Sequence, residues 1–465
     1  MTAGTVTDGG GAAGGGGTRG VGRAGDRVGS SGGLGSAYWR LWSAAVISRL
    51  GDSVRTPALA LLAAAVTGDP RLLAAVVIAG QLPPLVFGLI GGVYADRWDR
   101  RRTMAAVDGV RAVLVAVFAV LVATGQAGLP ALVGCAFALA ALGTLFDASA
   151  FAVLPAVVPA DRLPVANGRL QAGAAVAGGF VGAPLAGVLF ALAAALPFAV
   201  DAVSYGAAAL LALTLRPPAP AGHVGGNADR ASAAASTGPT APAVSPGTTR
   251  SAEPVAPRAG GSDRAGRRSV WREAGDGLRW IGRDPVLLRL TALAASSNIA
   301  ISGMITTLVL YALTVLGVTE AGYGLFMSAA VLGGLAGGLA AGRLAARLGT
   351  LPGMRLVLAV QTVALGALAA SRHPAPGALA LGVFAAGTAI WNSLCAAYGQ
   401  HRVPAAMLGR VSSAQRLAGL LAAPAGAAAA GFAASAYGLP VVFWGATAVL
   451  GVTTLAAWVA LRPAR

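Results

Sequence analysis

Charged residues are scarce in this sequence. Only 11% of its 465 residues are charged, less than half of the roughly one quarter found in soluble domains. The chain is also 56% hydrophobic, with a mean hydropathy of +0.71. So few charges cannot cover the surface of two or three soluble domains. Most of the surface must therefore face lipid.

Lysine is absent, because all 34 residues counted as lysine or arginine are arginine. A P-loop and a Schiff base both need a lysine, so ATP hydrolysis at a Walker site and Schiff-base chemistry are excluded. The three histidines, His223, His373 and His401, lie in separate loops and form no catalytic cluster. Cys135 and Cys395 lie in apolar runs and indicate neither a disulfide framework nor a metal pair. We therefore expect no enzyme activity, no cofactor and no metal site.

Twelve apolar stretches are long enough to cross a bilayer, since about 20 helical residues span a hydrocarbon core of about 30 Å. They lie at residues 41–66, 72–94, 104–124, 129–153, 169–192, 197–215, 286–313, 322–345, 353–371, 376–397, 408–435 and 439–461. The sequence thus predicts an all-α membrane protein with twelve transmembrane helices in two six-helix bundles.

The arginines are concentrated on one side of these spans, which indicates the orientation. The loops after spans two, four, eight and ten carry Arg97, Arg100, Arg101, Arg102, Arg162, Arg169, Arg347 and Arg402. The opposite loops carry only Arg71 and Arg372. By the positive-inside rule, both termini are cytoplasmic and the protein is a multi-pass protein of the bacterial inner membrane. The same rule accounts for the net charge of +17 without a nucleic acid partner.

The remaining segments are polar and divide the chain. Residues 1–37 are Gly-rich and lack the apolar region of a signal peptide, and residues 216–269 consist largely of Pro, Ala, Gly, Ser and Thr. Both are predicted to be disordered and cytoplasmic, as an arm and a linker. The two bundles then occupy residues 38–215 and 285–462.

A different pattern fills residues 270–284, before the second bundle. Apolar side chains recur there at helical spacing, with arginines between them: Val270, Trp271, Ala274, Leu278 and Ile281. This predicts an amphipathic helix along the cytoplasmic interface, the alternative being a plain continuation of the linker.

A motif after the second span is repeated in weaker form after the eighth. Gly92-Val93-Tyr94-Ala95-Asp96-Arg97-Trp98-Asp99 and Gly342-Arg343-Leu344-Ala345-Ala346-Arg347-Leu348-Gly349 share the pattern G-x-x-A-x-R at the same position of each half. The first copy resembles the loop 2–3 signature of the major facilitator superfamily, G-x-L-A-D-R-x-G-R-[KR], with Asp99 at the second Gly. The resemblance implies the major facilitator fold and a cytoplasmic gating motif, with Gly92, Asp96, Arg97, Arg100 and Arg101. Ala346 replaces the acid in the second copy.

Other stretches resemble one branch of that superfamily, the enterobactin exporter and macrolide-efflux carriers known as transmembrane secretion effectors. They are residues 47–53, 154–159, 201–205 and 403–411. Residues 182–187 resemble the antiporter motif of the fifth span, with Ala183-Pro184 in place of Gly-Pro. The resemblance covers about 40–215 and 270–462, and it implies efflux, antiport and multidrug resistance.

Charged residues inside spans are costly and suggest function. Asp52 lies deep in the first span, with Arg49 and Arg55 three residues to either side on the same helical face. It forms either a proton or substrate-cation site or a structural ion pair. Asp108 and Arg111 form a similar i, i+3 pair, for which we favour a structural role.

Four more polar residues lie within spans. Asp201, near the outer end of span six, caps or gates the outer half. Asn298, Gln361 and Asn392 either line the cavity or make interhelical hydrogen bonds.

These observations favour a secondary active transporter that exports a small amphipathic molecule, such as a drug, siderophore or secondary metabolite, by proton-coupled alternating access. The alternatives are an importer of a similar solute and a non-transporting membrane receptor. The expected partners are the small-molecule substrate, protons and membrane lipid, and the expected state is a monomer.

Overall fold

A computed structural model describes residues 34–87, 100–158, 162–214 and 275–461. Its long elements are all helices, which we number α1 to α12. They are α1 Ser36–Thr67, α2 Pro70–Phe87, α3 Arg100–Ala123, α4 Leu129–Val157, α5 in the consecutive segments Leu163–Ala175, Val176–Gly182 and Ala183–Leu192, α6 Leu196–Thr214, α7 Pro285–Thr314, α8 Glu320–Leu348, α9 Thr350–Ala370, α10 Pro374–Arg402, α11 Ala405–Tyr437 and α12 Leu439–Ala460. A short helix, residues 275–283, precedes α7. The predicted all-α membrane fold is confirmed.

Ten of these helices are long and apolar enough to cross a membrane by length and composition. The other two are α1 and α2. Helix α1 is 32 residues long, but Arg40, Arg49, Asp52 and Arg55 lower its hydropathy. Helix α2 is 18 residues long and ends at Phe87, the last described residue before the gap at 88–99. Both have apolar stretches that pack in the bundle, consistent with a twelve-helix fold.

The packing of the helices repeats from one half of the chain to the other. In the first half, α6 packs against α1 and α3, and α4 packs against α2 and α3. In the second half, α12 packs against α7 and α9, and α10 packs against α8 and α9. Adding six to each helix number converts one set into the other. The two bundles therefore have the same architecture.

Two helix pairs, α5 with α8 and α2 with α11, hold the halves together. Both contacts depend on glycine. A Cβ added to Gly187 of α5 would lie 2.6 Å from the carbonyl oxygen of Ala321 in α8, and one added to Gly431 of α11 would lie 2.7 Å from Ala74 Cβ in α2. These residues lie at the end of the bundle remote from Ser36 and Leu461, where the helices of the two halves pack closely.

The helices end where the sequence provides caps. Gly68 ends α1 with φ of +57° in the left-handed region, which glycine adopts without a steric penalty. At the start of α7, the backbone N–H groups of Val286 and Leu287 donate to Asp284 Oδ1 at 3.0 and 3.1 Å. This is the N-cap arrangement that satisfies otherwise unpaired donors.

Apolar side chains cover the outside of the bundle. On α3, Val113, Val117 and Val120 are 66%, 56% and 61% exposed, and they lie three and four residues apart on one helical face. Contact of such a stripe with hydrocarbon is favourable, whereas its contact with water is not. The chain is therefore a multi-pass membrane protein.

Some expected boundaries fall on residues that the structure does not describe. Residues 1–33 of the arm, the whole 216–269 linker and residues 270–274 are among them, and the arm, linker and interfacial helix stay predictions. Helix α1 begins at Ser36, within the range assigned to the arm. In helix 275–283, Ile281 is buried against Leu287 and Val403, whereas Leu278 is half exposed.

The second copy of the loop motif is helical in the structure. Residues 342–348 form the last turns of α8, which ends at Gly349 with φ of +79°. The expected loop is thus one glycine long, since α9 begins at Thr350.

Candidate substrate and coupling site

A cavity of about 530 Å³ lies between the two halves. Its charged lining comes from the first half, with Arg49, Asp52, Arg55, Arg111 and Asp147 contributed by α1, α3 and α4. The second half contributes an uncharged wall, namely Ile305, Thr306, Tyr323 and Met327 of α7 and α8. The cavity is thus electrostatically asymmetric.

Arg55 is the centre of a buried ion-pair network in this cavity. Its Nη2 donates to Asp52 Oδ1 at 2.7 Å, and its Nε lies 2.8 Å from Asp201 Oδ2 on α6. The Tyr205 hydroxyl donates to the same Asp52 Oδ1 at 2.6 Å. The Asp52 side chain is 25% exposed, that of Arg55 13% and that of Asp201 0%. Asp52 is therefore the carboxylate that reaches the cavity, and Asp201 is the enclosed one.

The close packing of α1 on α6 explains why these groups meet. A side chain at Gly51 would collide with Ser204 and Asp201 of α6, so glycine at this position lets the two helices approach. Ser204 Oγ in turn donates to the Asp201 backbone carbonyl at 2.8 Å.

Arg111 and Asp108 form the second buried pair. Arg111 Nη1 lies 3.2 Å from Asp108 Oδ1, and the two side chains are 5% and 1% exposed. The guanidinium also lies over the rings of Phe146 and Tyr205, 5.1 and 5.2 Å from their centroids. Cation–π contacts of this kind strengthen when they are desolvated. Arg111 therefore connects its own pair to the Tyr205–Asp52 hydrogen bond.

The third pair is more exposed. Arg49 Nη2 donates to Asp147 Oδ1 at 2.8 Å, with the side chains 50% and 61% exposed. Arg49 thus binds α4, although its spacing suggested a role beside Asp52. Asp147 of α4 thereby pairs with Arg49 of α1.

Among the described residues, these contacts join four carboxylates to three guanidiniums and leave one carboxylate in excess. The three pairs balance Asp52, Asp108 and Asp147, whereas Asp201 shares Arg55 with Asp52. An uncompensated buried charge is costly. A cluster with one surplus carboxylate is therefore suited to binding one proton or one cation.

The neutral candidates separate into two groups. Asn298 and Asn392 line a second cavity of about 430 Å³ within the second half. Gln361 is 3% exposed, and its Nε2 donates to Thr388 Oγ1 at 2.9 Å. Gln361 therefore makes a hydrogen bond between α9 and α10, which is one of the two interpretations left open for it.

The gating-motif residues are described only in part. Gly92, Asp96 and Arg97 lie outside the described residues, whereas Arg100 and Arg101 begin α3. Asp201 is the sixth residue of α6, counted from its predicted outer end, and it forms an ion pair with Arg55. Within the described residues, no group of three or more His, Cys, Asp or Glu side chains could hold a metal ion.

Asp284, which lies outside the spans, has a clearly shifted pKa. Partial burial would raise the pKa of Asp284, but hydrogen bonds from Arg402, Leu287 and Val286 outweigh this effect and lower it below its ordinary value. Arg402 Nε donates to Asp284 Oδ2 at 2.8 Å. This contact fixes the end of α10 to the start of α7.

One residue that the sequence interpretation missed is Arg416, which lines the second cavity. It lies within the expected span 408–435, but it was not among the charged residues singled out inside spans. The signal that could have found it is the absence of an acid three or four residues away on α11, where Ser412, Ser413, Gly419 and Leu420 lie.

The family model of the Major Facilitator Superfamily matches residues 41–427. The chain belongs to the Major Facilitator Superfamily. Its members are transporters that bind small molecules, so this chain is a membrane transporter and not an enzyme.

Among curated proteins, the chain is 34% identical over 151 residues to uncharacterised MFS-type transporters of Mycobacterium bovis and Mycobacterium tuberculosis. This match covers 31% of the chain and spans about a third (33%) of the length of those relatives.

Solved structures share the fold over most of the chain. The nucleoside transporter NupG, in a point-mutant form, has a TM-score of 0.70 at 10% identity, with 92% of this chain and 100% of that one covered. A bacterial homologue of the iron transporter ferroportin, in its inward-facing state, has a TM-score of 0.67 at 15% identity, with 92% and 99% covered. At these identities the likeness is one of fold.

Proposed function

We propose that this transporter exports a small amphipathic molecule, such as a drug, siderophore or secondary metabolite, in exchange for protons. The observation that carries the proposal is the buried charge cluster with one surplus carboxylate on the wall of the central cavity. Asp52 is its exchange site, because it is the carboxylate that is both paired with Arg55 and open to the cavity. Asp201 holds Arg55 in place from the enclosed side.

The energy available from one proton is sufficient for export. One charge crossing a potential of about 100 mV is worth about 2.3 kcal/mol. At about 1.4 kcal/mol for each tenfold ratio, one proton supports a concentration gradient of roughly 50-fold. Export of this kind needs no ATP site, in keeping with the absence of lysine.

The proposed mechanism is alternating access between the two six-helix halves of residues 38–215 and 285–462. The glycine contacts of α5 with α8 and of α2 with α11 close the end remote from the termini. With both termini in the cytoplasm of a bacterial cell, as the arginine distribution predicts, this arrangement is the inward-facing state. The motif of Gly92, Asp96, Arg97, Arg100 and Arg101 then closes the cytoplasmic side in the opposite state.

Three finer assignments belong to the same proposal. The chain is placed in the enterobactin-exporter and macrolide-efflux branch on the motifs of residues 47–53 and 154–159, and it acts as a monomer in a cell membrane. Import of a similar solute remains the alternative, because the same charge cluster could couple proton entry to solute entry. A non-transporting receptor is disfavoured by the open cavity between two like halves.

The test is accumulation of a panel of drugs and metabolites in cells with and without the protein, each with and without a protonophore. Export lowers accumulation of some compound, and the protonophore abolishes the difference. In the Asp52→Asn variant we expect the pH dependence of transport to disappear. Asp69→Asn is the matched control, since Asp69 lies outside the cavity and caps α2 through the Arg71 N–H at 2.8 Å.

Two results would contradict the proposal. Accumulation that is the same in all four conditions for the whole panel would exclude efflux. Transport with an unchanged pH dependence in Asp52→Asn would make Asp52 a structural residue.

A further inference from the structure

The second cavity lies among the ends of α7, α10 and α11 that share a side of the bundle with the chain termini. Its volume is about 430 Å³, and its polar wall consists of Thr291, Asn298, Asn392, Gln415 and Arg416. Arg416 lies seven residues beyond Gly409, where the apolar part of α11 begins, or roughly 10 Å along the helix axis. A cationic side chain at this depth is costly unless it has a function or a partner.

Arg416 has no acidic partner in the described residues, unlike its neighbours. Arg402 pairs with Asp284 at 2.8 Å, and Arg410 lies 3.6 Å from Asp276. No hydrogen bond or ion pair is formed by the Arg416 guanidinium within the described ranges, and its side chain is exposed to the cavity.

The second half of the sequence cannot supply the missing charge. From residue 285 to residue 465 the sequence contains a single acidic residue, Glu320. Glu320 begins α8, at the opposite end of the bundle from this cavity. Asp276 and Asp284, just before α7, are already occupied by arginines. Residues 285–465 therefore contain no acidic side chain near enough to pair with Arg416.

The same wall presents two further donors without acceptors. The Trp391 indole N–H donates and cannot accept, and within the described part of the chain neither it nor the Asn392 amide has a hydrogen-bond partner. Both residues line the cavity beside Arg416. By contrast, Gln415 Nε2 donates to Thr291 Oγ1 at 3.2 Å. One cationic residue and two residues with neutral donors thus line a single cavity.

We propose that this cavity binds an acidic group of the transported molecule, a carboxylate, sulfonate or phosphate, through Arg416, Trp391 and Asn392. A guanidinium forms paired hydrogen bonds with such oxyacid groups, and the neutral donors satisfy the remaining oxygen lone pairs. The inference rests on the proposed transport function and names the substrate class. The substrate is then an acidic amphipathic molecule, anchored by the second half while the first half carries the proton.

The test uses the native thiol in the same wall, Cys395. In the purified Cys135→Ser protein, the rates of labelling are compared for 2-sulfonatoethyl methanethiosulfonate, an anion, and for 2-(trimethylammonio)ethyl methanethiosulfonate, a cation. Each rate is divided by the rate of the same reagent with a small free thiol. If Arg416 attracts anions, its replacement by Gln should lower the anion-to-cation ratio roughly five- to tenfold.

A matched control and a second labelling site complete the experiment. Arg343→Gln removes one arginine from an exposed position on α8, outside this cavity, and should leave the ratio unchanged. If Cys395 is too enclosed to react, the same comparison is made with Asn392→Cys in the Cys135→Ser, Cys395→Ser background, because Asn392 is exposed.

A ratio that does not change in Arg416→Gln at either site would overturn the inference and leave Arg416 as a solvated interfacial arginine. If the labelling ratio fell no more in Arg416→Gln than in Arg343→Gln, the inference would also be overturned. The labelling needs no proton gradient and no transport. A failure of proton-coupled export therefore leaves this result intact, and the two proposals are distinguished.

Discussion

Replacing Arg55 by Met should strongly destabilise the protein. Arg55 is the ion-pair partner of Asp201, whose side chain is 0% exposed, and one of two donors to Asp52 Oδ1. Removing one member of a buried pair leaves an uncompensated charge and costs about 3–5 kcal/mol. Asp52 is affected less, because it is 25% exposed and keeps the Tyr205 hydrogen bond.

The destabilisation caused by Arg55→Met can be measured by reversible unfolding in mixed detergent micelles, as the difference in the free energy of unfolding between the variant and the wild type. Two controls isolate the buried charge. Arg49→Met breaks the half-exposed pair with Asp147 and should cost about 0–1 kcal/mol. The double variant Arg55→Met, Asp201→Asn removes the orphaned carboxylate and should recover about 2 kcal/mol relative to the single variant.

Two results would refute this reasoning. Equal losses for Arg55→Met and Arg49→Met would mean that burial does not set the energy of these pairs. A double variant no more stable than Arg55→Met would mean that Asp201 is not the group left without compensation.

The remaining predictions concern one cap and one helix contact. Asp284→Ala should cost about 0.5–2 kcal/mol at neutral pH. The folded-state pKa of Asp284 is lowered, so this stabilisation is present above about pH 4 and is lost as the pH falls through the folded-state pKa. The melting temperatures of the wild type and the variant should therefore converge in acid. Convergence at neutral pH instead would contradict the Arg402 hydrogen bond. Gly324→Ala should slow transport at unchanged expression, because a Cβ there would collide with the Ala183 carbonyl of α5, whereas Gly334→Ala on the same helix has open space and should transport normally.

The helices and their number follow from the sequence because hydrocarbon imposes length and composition on every span. Helix α12, expected at 439–461, occupies Leu439–Ala460. The bounds of helix α5 are harder to predict, because it contains Gly173, Gly178 and Gly182. It begins six residues earlier than its apolar run suggests. Those glycines pack on α1, where a Cβ on Gly173 would lie 2.7 Å from Trp42 and Val46. Their role is packing, which hydropathy does not report.

The candidate site was predictable only within single helices. The Asp52–Arg55 and Asp108–Arg111 pairs follow from i, i+3 spacing. The contact of Arg55 with Asp201 does not, because it depends on Gly51 bringing α1 against α6. Arg416 was missed for another reason. Its proposed binding role is indicated by the absence of nearby acids in the described part of the second half, and a count of loop arginines does not detect that absence.

The ion pairs between described residues have one feature in common, which is that none of them joins the first half to the second. The pairs of Arg49, Arg55 and Arg111 lie in the first half, and those of Arg402 and Arg410 in the second. The halves contact each other through glycines and through Arg71 over the Phe432 ring, 5.6 Å from its centroid. Rocking one half against the other therefore separates no oppositely charged pair within the described residues. Within the described ranges, that motion is therefore resisted by the fit of small side chains and backbone where α5 meets α8 and α2 meets α11, a resistance that ionic strength should affect little.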